Sequence, residues 1–457
     1  MRLPDDFLAI LPLSDREKTA FTEALQKEPP ASIRVNPEKG AALFQEKAAI
    51  PWSKFGRYLE SRPPFVEDPL FHAGAYYVQE ASSMALEKAI SPHLKEGMRA
   101  LDLCAAPGGK STHLLSILPK SSFLVSNEVI RPRANILAEN ILKWGYPNAV
   151  VTQNEPEDFH TLENSFDLIV VDAPCSGEGM FRKNPEAIKE WSVNAVELCA
   201  ARQRKIIGSI INALKPGGLL VYSTCTFNSK EDEENAEWFA REFDLHNCSI
   251  EFAPEDGISN AHTTNTKGYK FFPHRARGEG FYITMLQKKG SVSLEKEKRK
   301  KKSRGKQLLS DSKTADQFFE IPEYLRLMED QDQNVFAVPS AHQNFLCDLH
   351  LKLNFLDLAY PLGQVIHGKI KYGHGAAMCH SLKIKGKVHQ IELEKTAALS
   401  YLMRKEIEIS NAPKGWVLFT YHKTPLGWGK NLGNRVNNYY PTYFRIRKDL
   451  DLLTILD

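Results

Sequence analysis

Between Met98 and Leu286 the chain alternates short apolar runs with helical stretches, and this alternation constrains its fold more than any other feature. The runs RALDLC, FLVSNE, AVVTQN, FDLIVVDAP, GLLVYSTC and GFYITML have the length and branched-residue content of buried strands. Between them lie STHLLSIL, RANILAENILKW and the longer AVELCAARQRKIIGSIINALK, the last stopped by Lys215-Pro216-Gly217-Gly218. Strands alternating with helices predict an α/β domain: a Rossmann-like, doubly wound parallel sheet covered on both faces. Its ligand cleft is expected at the carboxyl ends of the strands.

At 457 residues the chain is long enough for two to four domains. Residues 1–90 mix amphipathic stretches with the joints Pro29-Pro30 and Pro63-Pro64 and form a helical or mixed lead-in; 91–286 hold the α/β domain. Residues 287–315 are Lys/Ser-rich without periodicity, a flexible linker. A helix-leaning segment covers about 316–360 within an intermediate unit of 316–395, and glycine-spaced runs such as GWVLFTY and YFRIR make 396–457 a small β module. There is no internal repeat.

Hydrophobic residues at 42% and charged residues at 25% exclude a disordered or fibrous chain. No run approaches the roughly 20 apolar residues that span a bilayer, and MRLPDDFLAILPLSDREK lacks the order of a signal peptide, so no membrane role and a cytoplasmic location are expected. The seven cysteines form no CxxC pair, so free thiols are expected. His367, His374, Cys379 and His380 match no zinc spacing, and no metal is expected.

The net charge of +3 is unevenly spread. Gln287–Lys306 carries ten Lys/Arg against two Glu, and Pro361–Lys448 carries fifteen against four, which leaves the front of the chain acidic. A basic tether and a basic C-terminal third suit a polyanion, because neutralised phosphates release counterions.

The chemistry sits at strand ends. Leu101-Asp102-Leu103-Cys104-Ala105-Ala106-Pro107-Gly108-Gly109-Lys110-Ser111 runs from a strand through a glycine turn into a helix, a geometry that lets a ligand reach backbone amides and a helix N-terminus. It is neither GxGxxG nor GxxxxGK[ST]. The next strands end in Asn127-Glu128, in Asn154 and in Asp172; an acid such as Glu128 can accept from ribose hydroxyls and Asn154 suits an adenine edge. Cys175, in Asp172-Ala173-Pro174-Cys175-Ser176-Gly177-Glu178-Gly179, and Cys225, in Tyr222-Ser223-Thr224-Cys225-Thr226, both fall at predicted strand ends, whereas Cys199 lies within a helix. A thiolate beside a nucleoside slot and a carboxylate suits methylation of an unreactive pyrimidine carbon: addition to carbon 6 makes carbon 5 nucleophilic, and a carboxylic acid near the ring nitrogen stabilises the developing charge.

LDLCAAPGGKS, Asn127-Glu128, DAPCSGEGM and YSTCTF, in this order, resemble the motifs of the NOL1/NOP2/Sun family of RNA 5-methylcytosine methyltransferases. The likeness extends over residues 30–286 and includes Arg34-Val35-Asn36-Pro37 and Tyr77–Met84. It implies S-adenosylmethionine as cofactor, held by Cys104, Ala105, Ala106, Pro107, Gly108, Gly109, Lys110, Glu128, Asn154 and Asp172. It implies Cys225 as the nucleophile, Cys175 as the residue that assists release, and Asp172 as a catalytic carboxylate near the base. Aspartate is common in the family where Asn154 stands. The Glu-Asn-Val motif of DNA cytosine methyltransferases does not occur.

Lys414-Gly415-Trp416-Val417-Leu418-Phe419, Pro425–Lys430 and Asn438-Tyr439-Tyr440-Pro441 resemble the PUA-like RNA-binding module of a bacterial branch that modifies 16S ribosomal RNA, and Phe272-Pro273-His274-Arg275 closes the catalytic domain in the same way. Trp416, Tyr421, Trp428, Tyr439 and Tyr440 interleave with Lys414, Lys423, Lys430 and Arg435, pairing stacking faces with phosphate contacts. The expected partner is 16S ribosomal RNA within the small subunit, with no obligate protein partner; the N-terminal segment is expected to share in RNA binding. A transfer RNA substrate and a non-catalytic role in ribosome assembly remain as alternatives.

Overall fold

The computed structural model of the chain describes residues 2–290, 308–407, 409, 413–448 and 450. Most of the expected basic tether, 291–307, lies outside the described residues.

The N-terminal unit sets the helices Asp5–Ile10 and Asp15–Leu25 before a four-stranded antiparallel sheet, in which Ala31–Val35 lies between Ser53–Leu59 and Tyr76–Val78. Arg34, in a strand that is buried throughout, fastens this unit to the α/β domain. Its guanidinium donates to the Gln79 side chain (2.8 Å), to Thr112 Oγ1 (2.6 Å) and to the Gly109 carbonyl (3.3 Å), and lies 4.5 Å from the Trp144 ring. Burial lowers its pKa to about 9.

The central sheet contains β1 (Arg99–Asp102), β2 (Phe123–Asn127), β3 (Ala149–Thr152), β4 (Phe166–Asp172), β5 (Leu214–Thr224), β6 (Leu245–Cys248), β7 (Ser259–His262), β8 (Lys267–Phe271) and β9 (Phe281–Lys288). Among the described residues its order is β7-β8-β9-β5-β4-β1-β2-β3, with β6 also on β9. β1 to β5 are parallel, and β9 joins β5 antiparallel. The order reverses between β1 and β4, the crevice where open α/β sheets bind ligands. α1 (Gly109–Ile117) and α2 (Arg131–Trp144) cover one face through Leu114, Leu137 and Ile141. α3 (Val193–Ile210) and α4 (Glu233–Glu242) cover part of the other through Ile206, Ile207, Ile210 and Phe239. The Lys215–Gly218 run opens β5; α3 has already ended at Ile210.

The rest of that second face is filled from beyond the expected domain boundary at 286. Only the short 3-10 turn Pro156–Thr161 separates β3 from β4, and α5 (Gln343–His350) packs there instead. Phe345 lies against the rings of Phe123 and Phe166 (6.1 and 5.8 Å), and His342 meets the Ser121 carbonyl at 2.9 Å. Immediately after α5, Thr152 and Phe355 form an antiparallel bridge on the outer edge of β3, with Leu356 N donating to the Val151 carbonyl.

The segment expected to lean helical, 316–360, carries strands as well as one α-helix. Leu325–Glu329 and Asn334–Pro339 pair with Ser310–Asp311 and Tyr360–Ile366 in a five-stranded antiparallel sheet, and α5 is its one α-helix among the described residues. The run NVFAVP is too short and too uniformly apolar to show period two. Two expected boundaries shift: Ser310–Asp311, placed in the tether, already belongs to this sheet, and His389–Glu392, placed before 396, pairs parallel with Gly415–Tyr421 of the last sheet. That sheet continues through Thr424–Asn431 to Val436–Asn438. Among the described residues no helix is long and apolar enough to cross a membrane.

Candidate active site

The cleft opens at the carboxyl ends of β1 and β4. β1 ends in fully buried Asp102, whose Oδ2 accepts from Ser111 Oγ at 2.6 Å; its Oδ1 has no hydrogen-bond partner among the described residues, and burial raises its pKa to about 7. The turn Leu103–Gly108 passes into α1 through Gly108, at φ +112°, a left-handed conformation that glycine accepts without strain. α2 buttresses the turn: Arg133 donates to the Ala106 carbonyl at 3.0 Å and Asn140 to the Pro107 carbonyl at 2.7 Å. Burial pushes the Cys104 thiol up, which keeps it protonated.

Asn127 stitches three strand ends together. Its Nδ2 donates to the carbonyls of Leu103 (3.2 Å) and Asn154 (2.9 Å), and its Oδ1 accepts from Thr152 Oγ1 and from the Asn154 amide, both at 3.0 Å. Glu128 is buried, with Oε1 accepting from the Ile130 amide at 3.0 Å and Oε2 3.4 Å from Arg133. Asn154 departs from expectation. Its Nδ2 donates to the Asn354 carbonyl at 3.1 Å and its Oδ1 accepts from the Asn354 amide at 2.9 Å, so the side chain assigned to a ligand is committed to the segment after α5.

At the end of β4, Asp172 Oδ2 pairs with Lys110 Nζ at 2.7 Å and Oδ1 accepts from Ser223 Oγ at 2.8 Å. Cys104 to Pro107, Gly109, Lys110 and Asp172 therefore face one cleft. Its opposite wall is Tyr77, Val78, Gln79, Glu80 and Ser83 of the N-terminal unit, which strand-end reasoning missed; the available signal was Arg34, the one charge within the strand-like run ASIRV. Glu80 accepts from the amides of Ser82 (2.9 Å), Ser83 (3.0 Å) and Glu279 (2.8 Å).

Cys175 and Cys225, 50 residues apart in sequence, converge with their sulfurs 3.1 Å apart. The contact with Cys225, followed by burial, pushes the Cys175 thiol well up. The Cys225 loop is held from several sides. Thr224 and Thr226 hydroxyls donate to buried Asp232 (2.5 and 3.0 Å), the Phe227 carbonyl accepts from Lys270 (2.8 Å), and the Cys225 carbonyl accepts from the Gly179 amide (2.8 Å).

In the last module Trp428 and Tyr440 are core residues, whereas Trp416, Tyr421 and Tyr439 are half-buried and Lys430 lies 5.3 Å from the Trp416 ring. Tyr443, 60% exposed, adds an aromatic face that the sequence reading left out.

Known proteins resemble this chain along nearly its whole length. A family model for the 16S rRNA methyltransferase RsmB/F matches residues 89–287, one for the N-terminal domain of 16S rRNA methyltransferase RsmF matches 3–81, and one for the methyltransferase RsmF PUA domain matches 388–446. Ribosomal RNA small subunit methyltransferase F of Enterobacter sp. (strain 638) is 30% identical over 99% of this chain and 98% of that protein. A solved methyltransferase homolog protein from Pyrococcus horikoshii is 26% identical, with a TM-score of 0.52 over 62% of this chain and 93% of that one. The fold alone is shared with NSun6 from Pyrococcus horikoshii, solved with SFG, at 21% identity and a TM-score of 0.54 over 63% of this chain and 99% of that one. Likeness that runs through the N-terminal unit, the catalytic sheet and the PUA module alike means that the chain is an RNA methyltransferase and belongs to the 16S rRNA methyltransferase RsmB/F family.

Proposed function

We propose that this chain transfers a methyl group from S-adenosylmethionine to carbon 5 of a cytidine in 16S ribosomal RNA, through a covalent bond between Cys225 and carbon 6 of the base. The observation that carries this reading is the pair of thiols 3.1 Å apart, in loops that follow the strand ending in Asp172 and the strand carrying Ser223, whose hydroxyl holds the Asp172 carboxylate. The names of the relatives support ribosomal RNA as the substrate class.

The cleft suits the cofactor: Glu80 and Asp172 line it with carboxylates and buried Glu128 follows the end of the neighbouring strand β2, a set that complements a cation carrying a ribose diol, and the glycine turn gives access to backbone at the start of α1. The turn Cys104–Lys110, Glu128 and Asp172 would hold it. When bound, S-adenosylmethionine supplies the methyl group as an electrophile. The target base leaves its stack to enter the cleft. The Cys225 thiolate adds to carbon 6, and Asp172 stabilises the charge that develops on the ring. Once carbon 5 carries the methyl group, its proton is lost to water, the carbon 6–sulfur bond breaks and the ring double bond re-forms. Cys225 leaves as a thiolate, and the Cys175 thiol beside it, kept protonated, assists release by donating a hydrogen bond to the departing sulfur.

The test is transfer of labelled methyl to unmodified small ribosomal subunits, free ribosomal RNA and bulk transfer RNA. Cys225→Ala is expected to abolish transfer while still binding the cofactor, and Cys175→Ala to accumulate a denaturation-resistant protein–RNA adduct. Normal turnover by Cys225→Ala would overturn the mechanism, and label confined to transfer RNA would overturn the substrate.

A further inference from the structure

Each of the two cysteine loops carries a buried carboxylate that grips the other loop. Glu178, three residues after Cys175, reaches across to the Cys225 loop: its Oε2 accepts from the amides of Phe227 (2.7 Å) and Asn228 (3.0 Å), and its Oε1 accepts from Asn228 Nδ2 (2.8 Å) and Trp191 Nε1 (3.1 Å). Glu231, six residues after Cys225, reaches back: its Oε2 accepts from the Ser176 amide (3.0 Å) and from Gln203 (2.7 Å), and its Oε1 accepts from the Ser176 hydroxyl. Asn228 joins the two, since its Nδ2 also donates to Glu231 Oε1 at 2.9 Å while its Oδ1 accepts from the Glu231 amide at 2.9 Å. Glu178 and Glu231 are fully buried and Asn228 is 1% exposed.

We propose that Glu178 and Glu231, bridged by Asn228, are positioning residues that set the separation of the Cys175 and Cys225 sulfurs. The proposal rests on the reading of Cys225 as nucleophile and Cys175 as its partner in release. Both cysteines lie just past strand ends, in loops that no backbone ladder holds in register. The Gly179 amide on the Cys225 carbonyl already joins the two loops at one point, and the reciprocal carboxylates add a grip in each direction, so that either loop carries the other with it. Charged acceptors suit this task, because hydrogen bonds to a carboxylate are shorter and stronger than those between neutral groups. Every named partner of Glu178 is a donor, so an amide in its place turns one oxygen into a donor that faces donors. Displacement of a reacting group by about 1 Å lowers rate about 10²-fold.

The test uses the full-length Glu178→Gln variant, with Glu231→Gln as the milder second variant, because the Ser176 hydroxyl can reverse its bond. Calorimetric binding of S-adenosylhomocysteine establishes that each retains its fold and cofactor cleft. Two rates are then read: methyl transfer to small ribosomal subunits, and closure of the Cys175–Cys225 disulfide by diamide, which takes up the two thiol hydrogens and becomes the hydrazine. Both rates are expected to fall in each variant, transfer by about 10²-fold in Glu178→Gln. Unchanged disulfide closure in a cofactor-binding variant would overturn the proposal, whether or not transfer fell. Slowed closure with normal transfer would uphold the spacing role and overturn the covalent mechanism on which it is built.

Discussion

Asn154 and Asn354 face each other across two parts of the chain and satisfy one another: the amide of one side chain gives a hydrogen to the Asn354 carbonyl and takes one from the Asn354 N–H. The Asn154 backbone is equally committed, with its N–H and C=O both on the Asn127 side chain. Asparagine has the donor and acceptor that a peptide group asks for. An aspartate, the residue that the family motif suggests here, has only acceptors.

Asn154→Asp is therefore expected to destabilise the protein by about 1–3 kcal/mol, by losing the donor and setting a carboxylate against the Asn354 carbonyl. Denaturant unfolding measures this directly. If Asn154 serves ligand binding alone, the substitution leaves stability unchanged and alters only cofactor affinity.

α5 supplies the wall that β3 and β4 lack between them. Truncating Phe345 to Ala removes a buried ring that touches Phe123 and Phe166, and a loss of about 3–5 kcal/mol is expected. Because the core formed by Ile169, Phe166 and Leu349 is continuous, the loss is expected in the unfolding of the catalytic sheet itself. Two separate transitions, with only the C-terminal one shifted, would contradict this.

The parallel sheet was legible because β1, β2, β3 and β4 are short apolar runs that end in polar residues, and the tool that sorts them, period and length, acts locally. The convergence of Cys175 and Cys225 was legible for the same reason, since both lie at the same edge of a doubly wound sheet. What escaped was tertiary. Nothing near Phe345 in sequence says that it packs against Phe123 and Phe166 of the central sheet, and nothing near Glu80 says that it lines one cleft with Lys110. Glu178 was quoted only as part of a motif, because a buried carboxylate held by four donors looks like any surface glutamate until its partners are known.

His374 is buried with its ring against Tyr440 and Phe444 (5.3 and 5.2 Å), and neither ring nitrogen has a hydrogen-bond partner among the described residues. Burial, reinforced by the charge of Lys39, lowers its pKa from 6.5 to about 3. Between those values the unfolded chain holds a proton that the folded one refuses, so stability is present above 6.5 and falls as pH falls, by about 1.4 kcal/mol per pH unit. His374→Phe is expected to remove that part of the acid dependence, read as the slope of unfolding free energy from pH 6.5 to 4.5. An unaltered slope would mean that the imidazole charges in the folded protein.

Asp172 is fixed by two partners on opposite oxygens, Lys110 from the start of α1 and Ser223 from the strand that leads to Cys225. A carboxylate held between the Cys104–Lys110 turn and the strand that leads to Cys225 can serve either side of the cleft, and Asp172→Asn separates the two roles proposed for it. The amide keeps an acceptor for Ser223 but presents its NH₂ to the Lys110 ammonium, so Lys110 loses its ion pair. If Asp172 acts on the ring of the target base, methyl transfer is expected to fall about 10²–10³-fold in single-turnover measurements at saturating cofactor. If it acts only through Lys110 on the cofactor turn, the deficit appears in cofactor affinity and saturation restores the rate. Lys110→Met gives the reciprocal comparison, since it removes the cation while leaving Ser223 on the carboxylate; a larger loss of affinity than in Asp172→Asn, with a smaller loss of saturated rate, is the pattern expected when the base is the group that Asp172 serves.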